Sequence, residues 1–334
     1  MYSAKISPDV LRLDAAAASA EIEASIRDIV FRQLKRKGVV IGLSGGIDSS
    51  TAAALAVRAL GKDRVLGLLM PELESASNTT DLGRLVADTL GIDTRLENVS
   101  PILDAAGCYR RRDEAIRSVV PDYGPGHKCK IVLSDVIGKV TYPIFYVVTE
   151  SPDGVQTRAR LTYDAYLTVV AATNFKQRTR KMLEYYYADR FVYAVLGTPN
   201  RLEYDQGFFV KNGDGAADLK PIAHLYKSQV YALAAYLGLP EEICSRPPTT
   251  DTYSLEQSQE EFFFALPYQQ MDFCLYGRDQ GIPPEDIAEL TQLTPEQVIR
   301  AYRNIDAKRK ATCYLHMPPL LVKELNGYAN IDVE

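Results

Sequence analysis

The segment Ile41-Gly-Leu-Ser-Gly-Gly-Ile-Asp-Ser-Ser-Thr51 joins two contrasting runs of sequence. Val39 to Leu43 is a β-branched apolar run and is predicted as a buried strand. Ala52 to Leu60, rich in Ala, Leu and Val, is predicted as a helix. The glycines and hydroxyl residues between them make a tight turn whose backbone amides can point at an anion. A strand, a glycine loop and a helix N-terminus form a phosphate site, because unpaired N–H groups and the helix dipole both favour negative charge there. Asp48 inside such a loop would repel a phosphate unless a divalent cation stood between them. The composition therefore points to pyrophosphate with Mg²⁺. The Walker pattern is absent, since no lysine follows Gly46, and so is the three-glycine dinucleotide fingerprint.

Ser44-Gly-Gly-Ile-Asp-Ser49 resembles the signature of the N-type ATP pyrophosphatases, or PP-loop enzymes, which cleave ATP between the α- and β-phosphates and adenylate a substrate. The bulk properties agree with a soluble enzyme. The 334 residues can bury a large core, with 46% hydrophobic and 24% charged content. A net charge of −5 argues against a nucleic-acid-binding surface. No apolar run reaches the roughly 20 residues that span a bilayer. The N-terminus lacks a signal-peptide pattern, so the cytoplasm is the expected location. Five dispersed cysteines without a Cys-x-x-Cys pair fit reduced thiols better than disulfides or zinc. The three isolated histidines are read as structural or exposed.

Residues 10–36 have helical spacing and would cover the first strand. Arg64–Met70 is the predicted second strand, 71–80 a polar loop, and Asp81–Gly91 a helix ended by glycine. Alternating strands and helices imply an α/β fold with a doubly wound parallel sheet, ligands sitting at the strand C-termini. Character changes near Cys108. Strands at 130–133 and 142–149, a turn at Ser151-Pro-Asp-Gly154 and a returning strand at 156–161 suggest a β-ribbon insertion. A helix follows from Tyr163 to Asp189, then a core strand at 192–196. The tail from Gln280 to Ala307 reads as two or three short helices, one starting at Thr294-Pro-Glu296. The divisions are 1–107, the first part of the α/β domain; 108–165, the ribbon; 166–275, its second part with acceptor-site loops; and 276–334, a helical extension.

The second half carries Gly197-Thr-Pro-Asn-Arg-Leu-Glu203, then Gly207-Phe-Phe-Val-Lys-Asn-Gly-Asp-Gly-Ala-Ala-Asp218. Leu225-Tyr-Lys227, Leu237-Gly-Leu-Pro-Glu-Glu-Ile243 and Pro247-Pro-Thr-Thr-Asp251 follow. Taken with the Ser44 loop, this order resembles the NAD synthetase family, specifically its short ammonia-dependent type with an adenine nucleotide alpha hydrolase-like fold. The resemblance implies that ATP activates the carboxylate of deamido-NAD as an acyl-adenylate and that ammonia displaces AMP. By that resemblance Ser44, Gly45, Gly46, Asp48, Ser49 and Ser50 hold pyrophosphate, and Asp48 and Glu203 hold Mg²⁺. Thr198, Lys211 and Thr249 match phosphate-contacting positions, and Arg178 matches an arginine segment lying against nucleotide. Asn174, Asp214 and Asp218 match the acceptor pocket. Outside these motifs, Lys227 is read as a surface salt-bridge residue, Tyr185-Tyr-Tyr187 as core or dimer interface, and Arg110-Arg-Arg112 as a solvated face.

The chain departs from the family pattern at Phe262-Phe-Phe264, at Val210 in place of a threonine, and at Ala307-Lys-Arg309 in place of His-Lys-Arg. The ribbon is foreign to the short synthetases. These departures leave an alternative: a paralogue that amidates a different carboxylate in a biosynthetic pathway. Fewer than fifty residues precede Ser44, too few for the nitrilase-type domain of glutamine-dependent relatives. Free ammonia or a separate glutaminase would then supply nitrogen. The resemblance also implies a homodimer. Sulfur-transferring PP-loop chemistry on tRNA is excluded by the lack of paired cysteines and by the acidic charge.

Overall fold

A computed structural model describes residues 6–76, 78–133, 144–250 and 252–323. The start of the predicted strand at 142–143, together with Asp251, lies outside the described residues. In chain order, α1 (Ala15–Arg27) leads to β1 (Val39–Gly42), α2 (Ile47–Leu60), β2 (Val65–Leu69), α3 (Thr79–Leu90), β3 (Asp93–Leu96), α4 (Ser100–Ala105) and α5 (Cys108–Arg117). Strands β4 (Lys128–Leu133), β5 (Phe145–Glu150) and β6 (Gln156–Arg160) follow, then the long α6 (Tyr163–Phe191), β7 (Ala194–Val195) and α7 (Arg201–Gln206). The chain continues through α8 (Lys227–Tyr236), α9 (Glu241–Cys244), β8 (Thr249–Thr250), β9 (Gln257–Ser258), α10 (Tyr268–Gln280), α11 (Pro284–Thr291) and α12 (Pro295–His316).

The central sheet is parallel with strand order β3-β2-β1-β7, and Val39 of β1 pairs with both Val65 and Ala194. Both faces are covered, and the two-residue side-chain period shows how. Val39, Ile41, Val65, Leu69 and Ala194 pack against α1, α2 and α8. Val40, Leu66, Leu68 and Val195 pack on α4, α5 and α6. Near-continuous apolar strands are what a sheet buried on both sides requires. The order reverses between β1 and β7, so a crevice opens beyond their carboxyl ends, the usual ligand position in such sheets.

The ribbon is a three-stranded antiparallel sheet, β4-β5-β6, with Val147 opposite Ile131 and Ala159. The change of character read at Cys108 is first a helix. α5 puts Cys108 and Tyr109 into the main core and Ala115 and Ile116 beneath the ribbon. Arg112 corrects the reading of a solvated arginine face, being buried and paired with Glu74 and Asp113, whereas Arg110 is exposed on Glu114. In the tail, Thr294 caps α12 and Pro295 takes its first turn, as expected. That helix runs 22 residues rather than being short, and α10–α12 make a separate core with Leu202 and Phe264. Of the three adjacent tyrosines, Tyr187 is buried in the main core and Tyr186 is exposed.

Gly45 holds φ at +70°, and a Cβ there would stand 2.3 Å from the Leu82 Cβ. The glycine is thus required both by backbone conformation and by the close approach of α3. Gly45→Ala is expected to cost about 1–3 kcal/mol of stability, read as a lowered urea midpoint. An unchanged midpoint would mean that α3 shifts to admit the methyl group.

Candidate active site

Beyond β1 and β7 lies a cleft of about 1650 Å³, lined from the Ser44 loop at one end to α12 at the other. Ser44, Gly46, Asp48 and Ser49 reach it. Gly46 caps α2 without a side-chain hydrogen bond, so the first turn keeps its amides for a ligand. The Ser44 hydroxyl accepts from the Gly46 amide at 3.2 Å and lies 3.2 Å from the Ser49 hydroxyl. Ser50 departs from the expectation. It is fully buried and donates to the Gly46 carbonyl at 2.8 Å, so its hydroxyl braces the helix.

Asp48 and Glu203 come together around a third residue that sequence reasoning misplaced. Lys227, expected at the surface, has a side chain only 2% exposed and forms a short ion pair with Asp48. Asn200, at the start of α7, donates its side-chain amide to Asp48 at 3.0 Å and its backbone amide to Glu203 at 3.2 Å. Asn200 and Glu203 form a reciprocal capping box, so one local motif orients both carboxylates. Gln259 donates to the other Glu203 oxygen at 2.8 Å. Burial, reinforced by the Asp48 charge, pushes the Glu203 carboxyl up to about 7. Burial alone would depress Lys227, but Asp48 and Glu203 outweigh it and hold the amine above the ordinary lysine range. One sequence signal for Lys227 existed. It opens α8, where a cation opposes the helix dipole and needs compensating acids.

The other predicted residues fall into two groups. Thr198, Thr249, Asn174, Arg178, Lys211 and Asp214 line the cleft. Arg178 donates to the Lys211 carbonyl at 3.2 Å. The Lys211 ammonium is bonded to the Tyr314 and Met317 carbonyls at 2.6 and 3.2 Å. Asp214 accepts from the Val210 amide at 2.7 Å, and burial pushes its carboxyl up. Asp218, by contrast, does not line the cleft. It accepts from the Val195 amide at 2.7 Å and the Tyr185 hydroxyl at 3.3 Å, which makes it a brace for β7. Its expected acceptor role rests on the resemblance alone.

A second buried ionic group forms the opposite wall. The Lys176 ammonium donates to Glu72 at 2.8 Å, Glu74 at 2.7 Å and the Thr252 carbonyl at 2.9 Å. Tyr109 donates to the other Glu72 oxygen at 2.7 Å. None of these was singled out from the sequence, because their partners lie far apart along the chain.

No cluster of three or more His, Cys, Asp or Glu suited to a metal occurs among the described residues. Asp48 and Glu203 nevertheless fit Mg²⁺, which takes one or two carboxylates and completes its shell with phosphate oxygens and water. Their mutual charge, held next to an amide-lined helix N-terminus, is what such an ion would neutralise.

Geometry alone defines a cleft with an open helix N-terminus and a buried lysine–carboxylate group at the switch point of a doubly wound sheet. The comparisons are specific. The NAD synthase family model matches residues 18–118 and 143–312. The chain is 57% identical over 317 residues to an NH(3)-dependent NAD(+) synthetase of Rhizobium meliloti, covering 95% of each. It is 57% identical over 316 residues to that of Mesorhizobium japonicum, covering 95% of this chain and 99% of the relative. In fold it is similar to an NMN synthetase from Francisella tularensis (TM-score 0.65, 23% identity, covering 92% and 98%). It is also similar to the NH3-dependent NAD synthetase of Campylobacter jejuni (TM-score 0.61, 22%, covering 93% and 100%). The chain belongs to the NAD synthase family. The alignment with the Rhizobium protein spans 317 residues of this chain and so includes most of 108–165, whereas the family model leaves 119–142 unmatched.

Removing the central amine tests this electrostatic arrangement. Lys227→Met should cost about 3–5 kcal/mol, the penalty for stranding buried carboxylates, and Mg²⁺ should restore part of the loss in thermal melts. In EDTA, folded Glu203 keeps a proton that the unfolded chain has released. Stability should therefore fall as pH rises from about 5 towards 7. Glu203→Gln should flatten that slope; a slope unchanged in the variant would assign it to another group.

Proposed function

We propose that the protein is an ATP-dependent amide-forming ligase, an ammonia-dependent NAD synthetase acting on deamido-NAD. The observation that carries the reading is the convergence of Asp48, Glu203 and Lys227 beside the open N-terminus of α2. ATP would lay its β- and γ-phosphates on the Ser44–Ser49 turn. Asp48 and Glu203 would hold Mg²⁺, which when bound offsets charge on the departing pyrophosphate. Lys227 contributes a fixed positive charge at the same place, where low dielectric strengthens it.

The acceptor carboxylate attacks the α-phosphorus, pyrophosphate leaves, and an acyl-adenylate remains. Ammonia then adds to the acyl carbon, AMP departs, and a proton is lost from nitrogen to give the amide. No side chain forms a covalent bond in this scheme, so the protein acts by positioning and by charge. Thr198 and Thr249 belong on the phosphate side of the cleft. Lys211, expected at the phosphates, is instead bonded to the Tyr314 and Met317 carbonyls at the α12 end, and Arg178 is bonded to the Lys211 carbonyl, so both go with Asn174 and Asp214 on the acceptor side. The different-carboxylate alternative is not favoured, since relatives named NH(3)-dependent NAD(+) synthetases match nearly the whole chain. Free ammonia suffices as nitrogen donor in this reading, and no separate glutaminase is required.

A homodimer accompanies the reading. α6 leaves Tyr163, Leu167, Met182 and Tyr186 exposed along its outer side, more apolar surface than a solvated helix face needs. Among the described residues no helix is long and apolar enough to cross a membrane.

The direct test is ATP–pyrophosphate exchange in the presence of deamido-NAD, followed by NAD formation on adding ammonium. A folded protein that gives no exchange would remove the proposal. Asp48→Asn should lower turnover about a hundredfold or more while leaving the circular dichroism spectrum unchanged. Tyr186→Glu should shift the sedimentation profile towards monomer, and an unchanged profile would place the interface elsewhere.

A further inference from the structure

Ala307-Lys-Arg309, to which the proposed chemistry gives no role, contains a buried amine without a carboxylate partner. Lys308 reaches from α12 into the junction between α7 and the segment 257–264. Its Nζ donates to the Phe263 carbonyl at 2.7 Å and to the Gln206 side-chain oxygen at 3.3 Å. It also lies 4.2 Å from the centroid of the Phe263 ring and 5.5 Å from that of Phe264. Among the described residues no acid stands within ion-pair distance. The neighbouring acids Asp205 and Asp279 are taken by Arg309, at 2.6 Å each. Burial pushes the Lys308 amine down to about 7. The Gln206 amide nitrogen is buried without a partner, so this side chain forgoes its own N–H bonds while presenting its oxygen to Lys308.

Placing an amine here is unfavourable as burial, and an apolar residue would fill the space without that cost. What the amine adds is direction, because its two acceptors belong to different elements. Gln206 lies one helical turn after Glu203 on α7, and Phe263 lies four residues after Gln259. Gln259 is the residue that donates to Glu203. The same two elements are thus joined twice, once through Gln259 to Glu203 and once through Lys308.

We propose that Lys308 is a positioning residue for Glu203, locking α7 to the segment 257–264 in the register that lets Gln259 hold the carboxylate. The proposal rests on the reading of Glu203 as a metal carboxylate. Outer partners that orient a ligand typically contribute tenfold to a hundredfold in metal affinity. Polar junctions of this kind fix one arrangement among several that packing alone would allow.

The test uses full-length protein, Mn²⁺ as the probe and α,β-methylene-ATP, with binding followed by electron paramagnetic resonance. Lys308→Met keeps an unbranched side chain of nearly the same length but removes the donor. It should weaken Mn²⁺ binding about tenfold and raise the apparent KM for Mg²⁺ similarly, with kcat at saturating Mg²⁺ within twofold. Combining it with Gln259→Leu should weaken Mn²⁺ no further than Gln259→Leu alone, since both act on one carboxylate. Mn²⁺ affinity unchanged in a folded Lys308→Met, or losses that add in the double variant, would overturn the proposal. If that variant does not fold, Gln206→Leu carries the same expectation, and unchanged Mn²⁺ affinity there would overturn it. Wild-type protein that binds no Mn²⁺ with nucleotide would instead remove the metal reading of Glu203, and this inference with it.

Discussion

The ammonium of Lys227, paired with Asp48 and near enough to Glu203 to feel its charge, is the interaction on which the site depends. Each of the three charges would be costly to bury alone. Together they are tolerable, and they tie the turn after β1, the start of α7 and the start of α8 into one place. Asp48 lies in the first turn of α2, where the dipole favours an acid, whereas Lys227 opens α8 against its dipole. The lysine is therefore held by the acids rather than by its own helix. A site built in this way carries its electrostatic character before any ligand arrives, and preorganisation of that kind lowers the cost of stabilising developing charge.

The opposite wall follows the same logic with different residues. Lys176 gathers Glu72 and Glu74 from the loop after β2 and the Thr252 carbonyl from the loop after β8. Arg112 adds a second cation at Glu74, from the helix that also underlies the ribbon. Two loops that would otherwise move independently are thereby fixed to α5 and α6. Buried charge of this type contributes little net stability and much to a unique arrangement, because removing one member strands the others.

Local chemistry was legible in the sequence and tertiary chemistry was not. Strand β1, the glycine turn, α2, the Gly91 stop and the Thr294 cap depend on residues within a few positions, and their period and turn chemistry name them directly. The Asn200–Glu203 box was also local and could have been read from Asn-x-x-Glu. Lys227 and Arg112 were misread because a charged residue is assigned to the surface until a distant acid is known to meet it. Ser50 and Asp218 are a different case: their residue types suit a ligand, and their side chains also satisfy the backbone at Gly46 and Val195. The ribbon showed through its Ser151-Pro-Asp-Gly154 turn between two strand-like runs, while α5 was hidden by its arginines.

The two ends of the cleft are built by different means. The phosphate end is carried by strands β1 and β7, whose register is fixed by pairing and by a core packed on both faces. A substitution there would disturb the sheet itself. The other end is closed by helix α12 and the segment 257–264, held by side-chain bonds such as Lys211 to the Tyr314 and Met317 carbonyls. Side-chain bonds tolerate exchange of one partner for another more easily than a buried sheet tolerates a change of register. Phe262-Phe-Phe264 and Ala307-Lys-Arg309 lie at this second end, and Phe208 stacks on Phe263 across it. The turn after β1 thus sits where strand pairing leaves the backbone least freedom.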